Sequence, residues 1–351
     1  MVNDKMRIPF WDITKFIAIL MVIVWHMIYC APDWCGGEKH SYLVNFIIGM
    51  NMPLFFAIAG YFSRHLMVER SMKAFAFRMI TYIWPLVVFS GLIVVKETLV
   101  NGDSLLNTPY RFLKCLVFNC WFLNCLLLCE FLSFAIFFFS RGNRRWLLTG
   151  IVICFVLLWS SPWGLWCSLA MMPFFWLGTF VLPIFVGSRS CLRAGCAAAV
   201  IYIVIVLLEG NVVRNGLGFY WIRMPLYAFS WHGFVLMMLR YLIGALGVIG
   251  LLATVKCACE RFGRVNVLSP LGTQTLGVYL MHSLVVADVS KALGDVSSSL
   301  ASKIGCAVLL FFACHYLVVA TKQSSSIALV FWGPSKSILE RFLQRKAATN
   351  E

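Results

Sequence analysis

The chain has 351 residues, of which 61% are hydrophobic and only 12% charged, and it carries a formal net charge of +15. Apolar runs of transmembrane length recur end to end, which excludes a soluble globular domain and indicates a polytopic helical membrane protein. In that setting the positive charge belongs to loops facing anionic lipid headgroups rather than to a nucleic-acid surface.

Apolar runs of about 17 to 25 residues predict ten helices, near 11–30, 43–63, 77–95, 115–139, 146–160, 165–187, 194–208, 233–255, 271–289 and 304–321. The expected fold is an all-α bundle forming a single domain over 1–351, with 321–351 a basic cytoplasmic tail. The stretch 225–239 is ambiguous and reads as a re-entrant or interfacial segment before the eighth span. With the N-terminus in the cytoplasm, the inside segments hold about twice as many Lys and Arg residues as the outside ones. That asymmetry places both termini in the cytoplasm.

The first span is the anomaly. It contains Asp12, Lys15 and His26 in an otherwise apolar run, and ionisable groups inside a span are costly and by default functional. Lys15 and His26 are eleven positions apart, so at about 100° per residue they lie within roughly 20° of one face and about 16 Å apart along it. Asp12 joins the same stripe as an i,i+3 partner for Lys15. Lys5 and Arg7 before an apolar run mimic a signal peptide, but no small-residue cleavage site follows, so the span is expected to stay in the mature protein. The bland alternative is a buried, satisfied histidine with Lys15 snorkelling to the inner interface.

The second run ends in Pro53-Leu54-Phe55-Phe56 and Gly60-Tyr61-Phe62, followed by Arg64. Pro53 suits a kink and Gly60 a close helix approach. His40 and His65 read as loop residues. Arg78 in the third run is either a snorkelling anchor or a ligand for a phosphate entering from the cytoplasm. The fourth run carries Trp121, at the depth of an outer aromatic belt, and Glu130, a lone membrane carboxylate that has to be paired or protonated. Pro173 and Gly178 read as kink and packing. The polar stretch 209–223 suits a carbohydrate acceptor or any exposed loop. Of the fourteen cysteines, most sit in apolar runs as small hydrophobes; Cys30 and Cys35 lie near an outer loop where pairing is open. Cys257-Ala-Cys259 lacks a second pair at zinc spacing, so no metal is expected. The ninth run opens Ser269-Pro270-Leu271-Gly272 and places Tyr279 and His282 on one face, while His315 in the tenth suits packing.

These residues, in order, resemble the acyltransferase 3 family of membrane-bound sugar O-acyltransferases, the fucose 4-O-acetylase-like members among them. The strongest element is Asp12-x-x-Lys15 followed by ten residues and then His26, similar to the family's Arg/Lys-x10-His signature. The Pro53 to Phe62 segment, Arg78 before Pro85, Trp121-Phe122-Leu123 and Gly272…Tyr279-x-x-His282 support it. Two positions depart: Ala59 stands where a Ser is frequent, and Leu126 where many members carry Glu, so no role of that Ser or Glu is carried over.

The resemblance implies an O-acetyltransferase of a bacterial inner membrane that modifies a polysaccharide or lipid-linked glycan. An acyl group, most often acetyl, would pass from cytoplasmic acyl-CoA to a sugar hydroxyl. No permanently bound cofactor is expected, acetyl-CoA being a co-substrate. An alcohol is a poor nucleophile at neutral pH, so His26 is the expected general base, an acyl-imidazole on it the alternative. Lys15, oriented by Asp12, with Arg64 and Arg78, would bind the donor. Trp121, Tyr279 and His282 would bind the acceptor or polarise the carbonyl. The competing class is a transporter or flippase for a sugar or lipid-linked glycan, which also uses intramembrane ions but is expected to show internal repeats, and none is evident.

Overall fold

A bilayer offers no hydrogen-bond partners to the backbone, so spans this apolar must satisfy their amides internally, and helices do so. The computed structural model describes residues 8–29, 41–101, 108–116, 120–141, 143, 145, 146, 149, 150, 152, 163–208, 231–294 and 299–334, and no strand occurs among them. The helices are α1 Pro9–Tyr29, α2 Ser41–Glu69, α3 Met72–Asn101, α4 Thr108–Lys114, α5 Trp121–Ser140 and α6 Trp163–Trp176. A π turn, Leu177–Val181, runs into α7 Leu182–Gly187, and α8 Arg189–Leu208 and α9 Trp231–Arg261 follow. A 3₁₀ segment, Gly263–Gln274, leads into α10 Thr275–Gly294, then α11 Leu300–Gln323 and α12 Ser325–Trp332. Among the described residues, eight helices are long and apolar enough to cross a membrane.

Each expected span except 146–160 coincides with a described helix; 146–160 lies largely outside the described residues, as do 209–223 and the Cys30 and Cys35 pair. The ambiguous stretch resolves in part, because residues 231–239 are the first turns of α9 rather than a separate segment. The helix at the ninth expected span, α10, starts at Thr275, not 271, because the chain around Pro270, which has no backbone donor, winds as a 3₁₀ segment, and α10 is not among the eight helices long and apolar enough to cross a membrane. His65, read as a loop residue, is helical, because α2 continues past its apolar core to Glu69. The first residues of the expected basic tail form apolar α12, which packs on α3 and α11.

α1 and α2 are the most enclosed of the eight, and α8 and α11 the least. Ile13, Ala18, Ile19, Val22 and Ile23 of α1 and Leu54, Phe56 and Ala57 of α2 form the centre of the core. α1 packs on the 3₁₀ segment, α10, α11 and α2, while α2 packs on α5, α6, α9 and the π turn. Without a hydrophobic force between spans, close approach depends on small residues. A side chain at Gly60 would run into the Phe175 carbonyl, and one at Gly178 into the Ala57 carbonyl. Thr179 Oγ donates to the Gly60 carbonyl at 3.2 Å, closing the same contact.

Gly60→Ala is therefore expected to cost about 1–3 kcal/mol through overpacking against rigid backbone, read as a lower melting temperature in detergent. Gly187→Ala, with nothing within 4 Å of the added carbon, should leave the melting temperature unchanged.

One turn matters for the site. α2 and α3 are joined through Arg70 and Ser71, with Arg70 at φ 53° and Ser71 Oγ accepting from the Ala74 amide at 3.2 Å as a helix cap. Across this short connection Ser63, near the end of α2, meets Arg78, near the start of α3.

Candidate functional site

The first turns of α1 and α3, the last turns of α2 and the start of α10 meet around a cavity of about 740 Å³. Lys15, His65, Arg78 and Tyr82 supply its polar lining, with Thr273 and Thr275 from the entry to α10. Phe55, Ile58, Phe62, Phe122, Leu126 and Leu276 make an apolar wall, and Tyr279 lines it too. By helix alternation Lys15, His65 and Arg78 all sit toward helix ends on one side of the bundle.

Asp12 and Lys15 make the expected pair, Lys15 Nζ donating to Asp12 Oδ1 at 3.2 Å. Lys15 Nζ also lies 4.4 Å from the centroid of the Phe62 ring. Asp12 is buried and does a second job: its Oδ2 accepts from Ser269 Oγ at 3.4 Å, and its backbone carbonyl occupies the space a side chain at Gly272 would need. The start of α1 is thus seated directly on the 3₁₀ segment.

Arg78 and Glu130 form an ion pair at 3.0 Å between α3 and α5. Ser63 of α2 donates to Glu130 Oε1 at 2.6 Å and accepts from Arg78 Nη2 at 3.3 Å. Glu130 and Ser63 are fully buried, while the Arg78 side chain keeps 26% of its surface and faces the cavity. The pairing demanded by Glu130 is therefore met by Arg78, a partner that sequence reasoning did not name.

Deeper in the bundle, Tyr279 packs on Phe122 at 5.1 Å between ring centroids and on His282 at 5.5 Å. His282, only 1% exposed, faces His26 at 5.4 Å with the rings inclined at 50°. His26 itself is half-buried and lies beside Trp25 at 4.9 Å. Tyr279 thus lines the basic cavity on one side and touches His282, the partner of His26, on the other.

Of the residues singled out from sequence, Lys15, Arg78 and Tyr279 line the cavity, Asp12 is buried behind Lys15, and His26 and His282 meet next to Tyr279. Arg64 is exposed at the end of α2 and Trp121 half-buried at the start of α5; neither lines the cavity. Ser63, Ser269, His65 and Tyr82 were missed. The signal for Ser63 was weak, but Glu130 had to be paired or protonated, and Arg78, read as a snorkelling anchor or a phosphate ligand, was a cation at hand in the preceding run. Among the described residues no group of three or more His, Cys, Asp or Glu is assembled to hold a metal ion.

Compared with known proteins, a family model described as an acyltransferase domain matches residues 8–321. No curated protein and no solved structure matches the chain.

Proposed function

The chain belongs to the acyltransferase 3 family, and from that premise we propose that it moves an acyl group, acetyl in the first instance, from a cytoplasmic acyl-CoA to a hydroxyl of a cell-surface or lipid-linked sugar. The observation that carries this reading is the continuity between a cation-bearing cavity and the His26–His282 pair through Tyr279. The pantetheine arm of the donor is comparable in length to the ~16 Å separating Lys15 from His26 along α1. Lys15 and Arg78 hydrogen-bond the donor's anionic and amide groups at the mouth, with exposed Arg64 nearby, and the phenylalanine wall accepts the apolar arm.

At the inner end, His26 takes the proton of the acceptor hydroxyl as its oxygen attacks the thioester carbonyl. The C–O bond forms, the C–S bond breaks, and the departing thiolate recovers a proton from the His26 imidazolium. His282 stands where it can share that proton or hold the acceptor, and Tyr279 where its hydroxyl can polarise the carbonyl. Trp121, on the outer side of Phe122, offers a ring face to the sugar. In this reading both termini are cytoplasmic and the protein is an integral component of a bacterial inner membrane.

The test is mass spectrometry of the glycan made in cells with and without the protein, before and after mild base. Base-labile acetyl groups that depend on the protein support the reading; an unchanged glycan overturns it. The donor site has its own test. Lys15→Ala should lower kcat/KM for acetyl-CoA about 10- to 100-fold, the worth of a charged hydrogen bond, mostly through KM. Lys15→Arg should lose less than tenfold, and equal loss in both would point to a lysine-specific role.

A further inference from the structure

The Arg78–Glu130–Ser63 cluster is an expensive structure to keep in a membrane protein. Glu130 is fully buried in the middle of a span, and while its Oε1 accepts two hydrogen bonds, its Oε2 is buried with none among the described residues. Buried ion pairs of this kind contribute little net stability compared with apolar packing. The geometry gives the cluster another use. Glu130 Oε1 takes Nε of Arg78, and Ser63 Oγ takes Nη2, so two of the three guanidinium nitrogens are held from α5 and α2, and Nη1 takes part in neither bond. The Tyr82 ring lies 5.1 Å from the guanidinium carbon on the same helix. Arg78 and Tyr82 line the cavity; Glu130 and Ser63 do not.

We infer that Glu130 and Ser63 are positioning residues that fix the Arg78 guanidinium with its remaining edge toward the cavity, so that Arg78 reads a phosphate of the acyl donor rather than serving as a loose cation. A long, flexible side chain loses rotamer freedom on binding an anion, and a guanidinium already held by its Nε edge has lost it beforehand. The carboxylate also offsets the Arg78 charge when no anion is present. The inference rests on the donor assignment proposed above, and it specifies which part of the donor Arg78 recognises.

The experiment compares acetyl-CoA with acetyl-pantetheine, which has the same thioester and arm but no phosphate. Glu130→Ala is expected to raise KM for acetyl-CoA roughly 10- to 100-fold, to leave kcat within about threefold, and to leave KM for acetyl-pantetheine at the wild-type value. Glu130→Gln, which keeps an acceptor oxygen for Nε, should recover most of the loss. Ser63→Ala, which preserves the ion pair and the fold, should raise KM for acetyl-CoA about 3- to 10-fold, again without effect on the phosphate-free donor. Variants that slow both donors alike, or that leave both unchanged, would overturn the positioning role. Wild-type protein that accepts neither thioester would instead overturn the donor assignment itself.

Discussion

Replacing His26 by alanine should lower acyl transfer by about 10²- to 10⁴-fold, the usual contribution of a positioned general base, while KM for the acyl donor stays within about threefold. The separation of effects follows from position: His26 is not among the side chains lining the cavity assigned to the donor, and its ring contacts are with Trp25 and His282. Only the neutral imidazole is a base, so the wild-type rate should fall toward acid pH, and the residual activity of His26→Ala should lack that fall. His282→Ala alone should also be severely slowed. If the two imidazoles work as one unit, the double variant should be little slower than the worse single one. Additive losses would mean that His26 and His282 act separately. These are steady-state measurements on purified protein, and unchanged expression and melting temperature in His26→Ala would separate lost chemistry from lost structure.

The second large effect is expected at a residue with no functional group. A side chain on Gly272 would run into the backbone carbonyl of Asp12, and neither element can yield cheaply because α1 packs on the 3₁₀ segment here and continues into the core. Gly272→Ala should therefore push the start of α1 outward, carrying the Asp12–Lys15 pair with it. A shift of about 1 Å in a positioning group costs on the order of 10²-fold in rate, and overpacking costs about 1–3 kcal/mol. Kinetics should show a raised KM for the acyl donor together with a lowered melting temperature. Gly263→Ala, at the other end of the same segment with nothing within 4 Å of the added carbon, should behave as wild type. Wild-type kinetics in Gly272→Ala would show that the seat of α1 on this segment does not govern the site.

The stripe on α1 was legible in the sequence because helical spacing alone fixes it: Lys15 is three positions after Asp12 and His26 eleven positions after Lys15, whatever the helix packs against. Span positions were legible for a similar reason, since bilayer thickness imposes a length on each apolar run. What surrounds the stripe was not. These spans are apolar on every side, so no periodicity tells which face meets which neighbour. The approach of His282 to His26 joins residues at opposite ends of the chain, and nothing local announces it. Tyr279 and His282 were visible as a face of one helix; their neighbour was not. Gly272 was visible as a glycine near the start of a span, but its partner, a backbone carbonyl, leaves no trace in sequence. Glu130 was the exception: a buried carboxylate demands a counter-charge, and Arg78 supplies it.

Two element boundaries differ from the apolar runs for physical reasons. α2 outruns its apolar core by most of two turns because the polar end still gains from helical hydrogen bonds and from the Ser71 cap that starts α3. α12 was hidden in a stretch taken as tail because eight residues are too short for a span-length reading. Its Trp332 ring packs on Phe89 and donates to Thr321 Oγ1 at 3.2 Å, which ties the end of the described chain to α3 and α11.

The most direct test of the central claim uses sealed membrane vesicles with a defined orientation, radiolabelled acetyl-CoA supplied only to the cytoplasmic face, and a glycan acceptor bearing free hydroxyls. The account predicts base-labile label on the acceptor, consumption of one acetyl-CoA for each ester formed, and loss of both with His26→Ala. Label transfer undiminished in His26→Ala, or movement of the glycan across the membrane without consumption of acetyl-CoA, would contradict it.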